Sequence, residues 1–257
     1  MHVLRLGNRA LHYRDEGPRD GPALVFSNSL GTDLRIWEPM LAHLPPRFRL
    51  LRYDTAGHGL SDLAGTRAMA EHGADLLALM DEVGIDTATV VGLSVGGLIA
   101  QALYKAAPGR VERIVFCDTA HKIGTDDIWN ERIALIENGG MAGAANATLE
   151  RWFTPAFREG QTTFPLWREM LLRTPVDGYC DLARSIRDAD FTGDCAAIDV
   201  PALCICGEND GSTPPALMQE FVSMLPRGSY AEVKDCGHIP CVEQPKNLAE
   251  LIEEFLA

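Results

Sequence analysis

The sequence predicts an α/β fold: a mainly parallel eight-stranded sheet, covered by helices on both faces, with a helical cap inserted. Three observations lead there. Short apolar runs of strand type alternate with stretches of helical apolar spacing over the first half of the chain, the pattern of parallel strands joined by crossover helices. Strand signals then vanish between about 121 and 191 and return afterwards for two strands and a closing helix. Finally, Gly92-Leu-Ser-Val-Gly96 stands between a strand-like and a helix-like run, and its glycines permit a very sharp turn.

The elements follow in order. Residues 3–6 and 10–13, joined through Gly7-Asn8, predict an opening hairpin, and 23–26 and 48–53 two buried strands. Residues 70–83 carry apolar side chains at helical spacing and stop at Gly84. Residues 87–91 form the strand before the sharp turn, 98–104 belong to the helix after it, and 113–117 form the next strand. Four cap helices are expected at 128–138, 142–153, 164–172 and 179–187, broken apart by Gly139-Gly140, Thr154-Pro155 and Thr174-Pro-Val-Asp-Gly178. Strands at 202–206 and 230–233 and a helix at 247–255 complete the chain. The division is a core of 1–120 and 192–257 with a cap of 121–191. The cap holds Trp129, Trp152 and Trp167, and at least two of these are expected only to pack it onto the core.

Composition narrows the function. The chain has 257 residues, 46% hydrophobic and 23% charged, with a formal charge of −13. That charge argues against nucleic acid and anionic membrane surfaces as partners, and an anionic substrate would need basic groups gathered locally. The start, Met1-His-Val-Leu-Arg-Leu-Gly, lacks the apolar stretch of a signal peptide, and no run approaches membrane-helix length. The seven cysteines (117, 180, 195, 204, 206, 236 and 241) read as reduced core thiols in a cytoplasmic protein, and no metal-type pair accompanies Cys204 and Cys206. Neither a metal nor an organic cofactor is expected. The expected partner is a small molecule rather than a nucleic acid or a membrane.

G-x-S-x-G in a strand–turn–helix context is the nucleophile-elbow pattern, which makes Ser94 the candidate nucleophile. A serine hydroxyl needs a base, and the base an orienting acid, in the chain order Ser, acid, His. Of the seven histidines only His238, in Asp235-Cys-Gly-His-Ile-Pro240, follows the last strand; His2, His12, His43 and His72 read as surface or core fillers and His121 as a pocket residue. Two aspartates contend for the acid. Asp118 follows an earlier strand, whereas Asp210 lies in Cys206-Gly-Glu-Asn-Asp-Gly211 after the penultimate one. Asp210 is favoured because Gly207 and Gly211 frame it and Thr213-Pro214-Pro215 then opens a helix. Oxyanion donors are expected from the backbone N–H of Val95, just past the nucleophile, and of Leu30 in Phe26-Ser-Asn-Ser-Leu-Gly31. In that loop Asn28-Ser29 takes the usual His-Gly place, with Trp37 nine residues beyond Asn28.

These residues resemble the α/β-hydrolase superfamily, as does Tyr53-Asp-Thr-Ala-Gly-His-Gly-Leu-Ser61, which matches its D-x-R-G-x-G-x-S loop. More narrowly, the chain is similar to the 3-oxoadipate enol-lactonase family. The segments that carry this are Ser27-Asn-Ser-Leu-Gly-Thr-Asp33, Asp118-Thr-Ala-His-Lys-Ile-Gly-Thr125, Trp129-Asn-Glu-Arg-Ile133, Glu150-Arg-Trp-Phe-Thr-Pro-Ala-Phe157, Ile186-Arg-Asp-Ala-Asp190 and Val242-Glu-Gln-Pro245. Two departures stand out: Ala56 replaces the usual Arg, and Cys-Asp-Leu-Ala-Arg184 is more polar than the small-residue run expected there. The resemblance implies an acyl-serine hydrolase that opens 3-oxoadipate enol-lactone to 3-oxoadipate in aromatic catabolism. Its free carboxylate calls for a cap cation among Lys122, Arg132, Arg151, Arg158, Arg168, Arg173, Arg184 and Arg187. Most of these should be solvated or paired with acids such as Glu131 or Glu150. Arg132, one helical turn after Trp129, is the choice, and the two together are the expected substrate-binding residues. The alternatives are a general carboxylesterase or carbon–carbon-bond (meta-cleavage product) hydrolase on the same residues, and a ligand receptor that no longer turns over.

Overall fold

The computed structural model describes residues 2–257; Met1 and any reading of it lie outside the described residues. Eight strands form one sheet: β1 (His2–Leu6), β2 (Arg9–Glu16), β3 (Ala23–Ser27), β4 (Arg49–Tyr53), β5 (Ala88–Leu93), β6 (Val111–Cys117), β7 (Ala202–Gly207) and β8 (Gly228–Val233). Their order is β1-β2-β4-β3-β5-β6-β7-β8. β1 and β2 pair antiparallel, as do β2 and β4, and every other neighbouring pair is parallel. Strands β5 and β7 are buried along their whole length, as expected of parallel strands covered on both faces. Edge strand β1 keeps only Leu4 inside.

The helices are α1 (Glu38–Leu41), α2 (Met69–Glu82), α3 (Val95–Ala106), α4 (Asp126–Trp152), α5 (Pro155–Gly160), α6 (Phe164–Leu172), α7 (Val176–Asp188), α8 (Pro215–Ser223), α9 (Pro240–Glu243) and α10 (Pro245–Leu256). Helices α4 to α7 are the insertion between β6 and β7. The expected break at Gly139-Gly140 is present: Gly140 (φ 67°, ψ −179°) is non-helical and kinks α4 into two helical stretches. Thr154-Pro155 breaks the helical run as expected and also starts α5, a helix absent from the sequence reading: the Thr154 hydroxyl accepts the Phe157 N–H, and Pro155 takes a first-turn position that needs no N–H. Among the described residues no helix is long and apolar enough to cross a membrane.

Because β3, β5, β6, β7 and β8 run parallel, the loops after them all leave from one edge of the sheet. The carboxyl edge of a parallel sheet is where side chains from distant sequence positions can be brought together.

Candidate active site

Strand β5 ends at Leu93 and α3 begins at Val95, so Ser94 alone makes the turn. Its backbone sits at φ 56° and ψ −118°, a strained conformation for a residue with a side chain. The surroundings hold it there. The Ser94 N–H donates to the Cys117 carbonyl (2.9 Å), and the Ser94 carbonyl accepts from Gly97 N–H (2.8 Å) and the Thr119 hydroxyl (2.6 Å). A Cβ on Gly92 would lie 2.4 Å from the Gly96 carbonyl oxygen, and one on Gly96 would lie 2.1 Å from that of Ser27. Backbone atoms cannot yield as a side-chain tip can. Gly96→Ala should therefore cost about 3 kcal/mol, the upper end of ordinary overpacking, read as a lower midpoint in urea unfolding.

His238 lies between β8 and α9, buried, with Nδ1 2.9 Å from Asp210 Oδ2. Asp210 is saturated: Oδ1 accepts from Ser212 N–H (2.7 Å) and Thr213 N–H (3.1 Å), and Oδ2 also accepts from the Thr213 hydroxyl (2.7 Å). Burial pushes this carboxyl up, but the His238 charge and these donors outweigh it and hold it below the usual carboxylate range. The His238 N–H donates to the Trp152 carbonyl (2.8 Å), which ties the histidine loop to the end of α4. Asp118, the other contender, is fully buried, at φ 44°, with Oδ1 accepting from Gly207 N–H at 2.8 Å. Burial, reinforced by the neighbouring Asp210 charge, pushes its carboxyl far above the usual range. Asp118 is thus a neutral acid behind an ionised one. Ser94 and His238 line the same cavity without a hydrogen bond between them among the described residues; such bonds often close only around substrate.

Leu30 lines that cavity too. Val95 is the first residue of α3, so its N–H has no carbonyl one turn back. The Leu30 loop is shaped by side chains from elsewhere. Asn28 accepts the Trp37 indole N–H at 2.8 Å and donates to the Tyr53 carbonyl at 2.6 Å, a structural use of the nine-residue spacing. His58 Nε2 accepts the Gly31 N–H at 3.0 Å, so its proton is on Nδ1, facing the Ala56 carbonyl. Burial drives His58 down to about 4, which keeps it in that neutral acceptor form at neutral pH. Asp54, in the same loop, accepts from Leu34 and Leu60 N–H groups, both at 2.8 Å.

The cavity has a volume of about 280 Å³, with Ser29, Leu30, Ser94 and His238 on the core side. Ile128, Trp129, Arg132, Arg151, Trp152 and Tyr179 come from the cap. Two of the three cap tryptophans therefore line the cavity, against the expectation that at least two only pack the cap; Trp167 is the one left to packing. His121 is not among the lining residues: it is buried against Phe221, ring centroids 6.1 Å apart.

A sequence profile for the alpha/beta hydrolase family matches residues 24–251. The chain belongs to that family. It is 34% identical to 3-oxoadipate enol-lactonase 1 of Acinetobacter baylyi, over 100% of this chain and 97% of the relative, and equally identical to that organism's 3-oxoadipate enol-lactonase 2, over 96% and 93%. The crystal structure of the enol-lactonase from Burkholderia xenovorans superposes with a TM-score of 0.96 at 36% identity, covering 99% of both chains.

The hydrolase's cap cations divide sharply. Lys122, Arg158, Arg168, Arg173, Arg184 and Arg187 each pair with an acid, whereas Arg132 and Arg151 enter no ion pair among the described residues. Both are half-buried. Arg132 lies over the Trp129 ring, 4.6 Å from its centroid, so the face shared by these two residues is real. Sequence reasoning named Arg151 among the candidate cations without choosing it, read Thr213 only as opening a helix, and gave His58 no role, although its place inside the Asp54–Ser61 motif was a signal. Asp118, Cys206 and Asp210 bring ligand-type atoms within 4.8 Å of one another. Burial keeps the first two protonated and Asp210 is committed to His238 and Thr213, so the trio is poorly suited to a cation.

Proposed function

We propose that this hydrolase opens a small carboxylated enol-lactone, 3-oxoadipate enol-lactone, through an acyl-serine intermediate. The observation that carries the reading is the cavity. A serine on an elbow and a histidine held by an ionised aspartate share it with two guanidiniums that have no ion pair among the described residues, in a protein of charge −13. Full-length similarity to enol-lactonases supports it.

Ser94 attacks the lactone carbonyl as His238 takes its proton, with Asp210 holding the imidazole through Nδ1 and stabilising its charge. The N–H groups of Leu30 and Val95 bind the oxyanion, at the start of α3 where the helix dipole adds positive potential. Collapse breaks the ring C–O bond and releases an enolate, which takes a proton and ketonises to the 3-oxo acid, so the ring does not reclose. Water, deprotonated by His238, then adds to the acyl carbon, and expulsion of Ser94 frees the second carboxylate. An enolate leaves readily, so leaving-group protonation is in less demand than for an amide. Residues of this chain suffice for each step, and the reaction is compatible with a cytoplasmic setting.

Arg132 takes the substrate carboxylate, with Trp129 beneath it. Arg132→Ala should raise KM for the enol-lactone about tenfold or more and leave KM for a neutral p-nitrophenyl ester nearly unchanged; equal losses on both would refute the assignment. The substrate itself is tested by following loss of the enol chromophore of 3-oxoadipate enol-lactone, with p-nitrophenyl esters and a meta-cleavage dienoate as competitors. Faster turnover of either competitor than of the lactone would overturn the reading.

A further inference from the structure

Arg132 and Arg151 stand on opposite sides of the break at Gly140, one on each half of α4. Arg132 belongs to the half that carries Trp129. Arg151 belongs to the half that ends against the triad: its carbonyl faces the Gly211 N–H at 3.4 Å, and its neighbour Trp152 accepts the His238 N–H. Among the described residues the Arg151 guanidinium donates one hydrogen bond, to the Thr148 hydroxyl at 3.3 Å. Each guanidinium keeps most of its donors free, and both line one cavity with Tyr179 between the cap and the core.

Two like charges in a half-closed space repel, and burial together with the nearby Arg132 charge makes Arg151 less ready than usual to stay protonated. A structure that keeps such a pair without an acid is complementary to a ligand bringing two negative charges. The proposed lactone brings one. Its ring-opened product brings two: the original carboxylate and the one made at Ser94.

We propose that the cavity is a dicarboxylate site, in which Arg132 holds one carboxylate of a short diacid and Arg151, on the triad side, holds the other. This rests on the proposed function for the identity of the diacid, though not for its binding. Arg151 is then a specificity-determining residue that meets the carboxylate formed at Ser94. The ring-opened diacid binds more tightly than the mono-acid lactone and inhibits competitively. The break at Gly140 sets the two arginines on separate helical stretches, each contributing to the cavity lining.

The test is binding calorimetry on the intact protein with adipate, hexanoate and dimethyl adipate, which needs no turnover. Adipate should bind at least tenfold more tightly than hexanoate, and dimethyl adipate weakest. Arg151→Gln and Arg132→Gln should each bring adipate down to the level of hexanoate, while Arg151→Lys keeps part of the difference. Equal affinity of adipate and hexanoate for the unmodified protein would overturn the proposal whatever the variants do. So would a preference for adipate that survives Arg151→Gln. Because lactone turnover is measured separately, a hydrolase that binds adipate as described yet ignores the enol-lactone would refute the substrate reading and leave the dicarboxylate site standing.

Discussion

Ser94→Ala should lower kcat on the enol-lactone by about 10⁴- to 10⁶-fold, leaving a residual acceleration of about 10³–10⁴ over water from binding and the oxyanion donors. The Ser94 hydroxyl makes no hydrogen bond within the described chain, and the elbow is held by backbone bonds to Cys117, Gly97 and Thr119. The substitution should therefore leave KM and the urea midpoint close to those of the parent. Mass spectrometry after mixing the parent with p-nitrophenyl butyrate should show a butyryl adduct on the peptide containing Ser94, absent from the variant. A variant within tenfold of the parent, or an adduct elsewhere, would remove Ser94 from the mechanism.

The second large effect separates two aspartates that lie side by side. Asp210→Asn should cost about 10⁴ in kcat, because an amide at that position fixes the wrong His238 tautomer and cannot stabilise the imidazolium. It also cannot accept from Ser212, Thr213 and His238 together as the carboxylate does. Asp118→Asn should change kcat only a few-fold: it exchanges one neutral group for another, and the amide oxygen can still accept from Gly207 N–H.

The two differ in pH dependence as well. Asp210 ionises below its ordinary value when folded, so its contribution to stability is present above about 3.8 and is lost as pH falls through the lower folded value. Asp210→Asn should flatten that acid limb. Asp118 is the reverse case. Unfolded, it releases its proton near 3.8; folded, it keeps it, so every step in pH above that value favours the unfolded chain until the raised folded value is reached. Asp118→Asn should gain stability over the parent as pH rises above about 3.8, for as long as the folded parent keeps that proton. Urea midpoints across that range check both signs, and a parallel response of the two variants would contradict the assignment of one ionised and one neutral carboxyl.

Much of the architecture was legible because it is written locally. The opening hairpin, the helix ending before Gly84 and the elbow each follow from apolar periodicity and turn chemistry within about a dozen residues. The helix at Phe164–Leu172 was read to the residue, since its apolar spacing is bounded by turn residues on both sides. The helix at Pro155–Gly160 was missed for the opposite reason: Thr-Pro both ends one helix and begins another, and six residues carry too little periodicity to tell which.

The cap arginines show where local reading stops. Glu150 is adjacent to Arg151 in the chain, yet it faces Arg158 at 4.0 Å, while Arg184 finds Glu137, 47 positions away. Which cation is left unpaired depends on how the cap helices pack, and spacing along one helix does not carry that information.

Taken alone, the amino-acid order determined the alternation of strands and helices, the strained turn at residue 94 and the candidates for base and acid, since each depends on residues that are neighbours in the chain. Only the tertiary structure decided that Asp210 rather than Asp118 reaches the imidazole, that His58 braces the loop at Gly31, and that two tryptophans and two free guanidiniums roof one cavity. Parallel strands send the loops from 28, 94, 118, 210 and 238 to a common edge, and burial there decides which carboxyl keeps its charge.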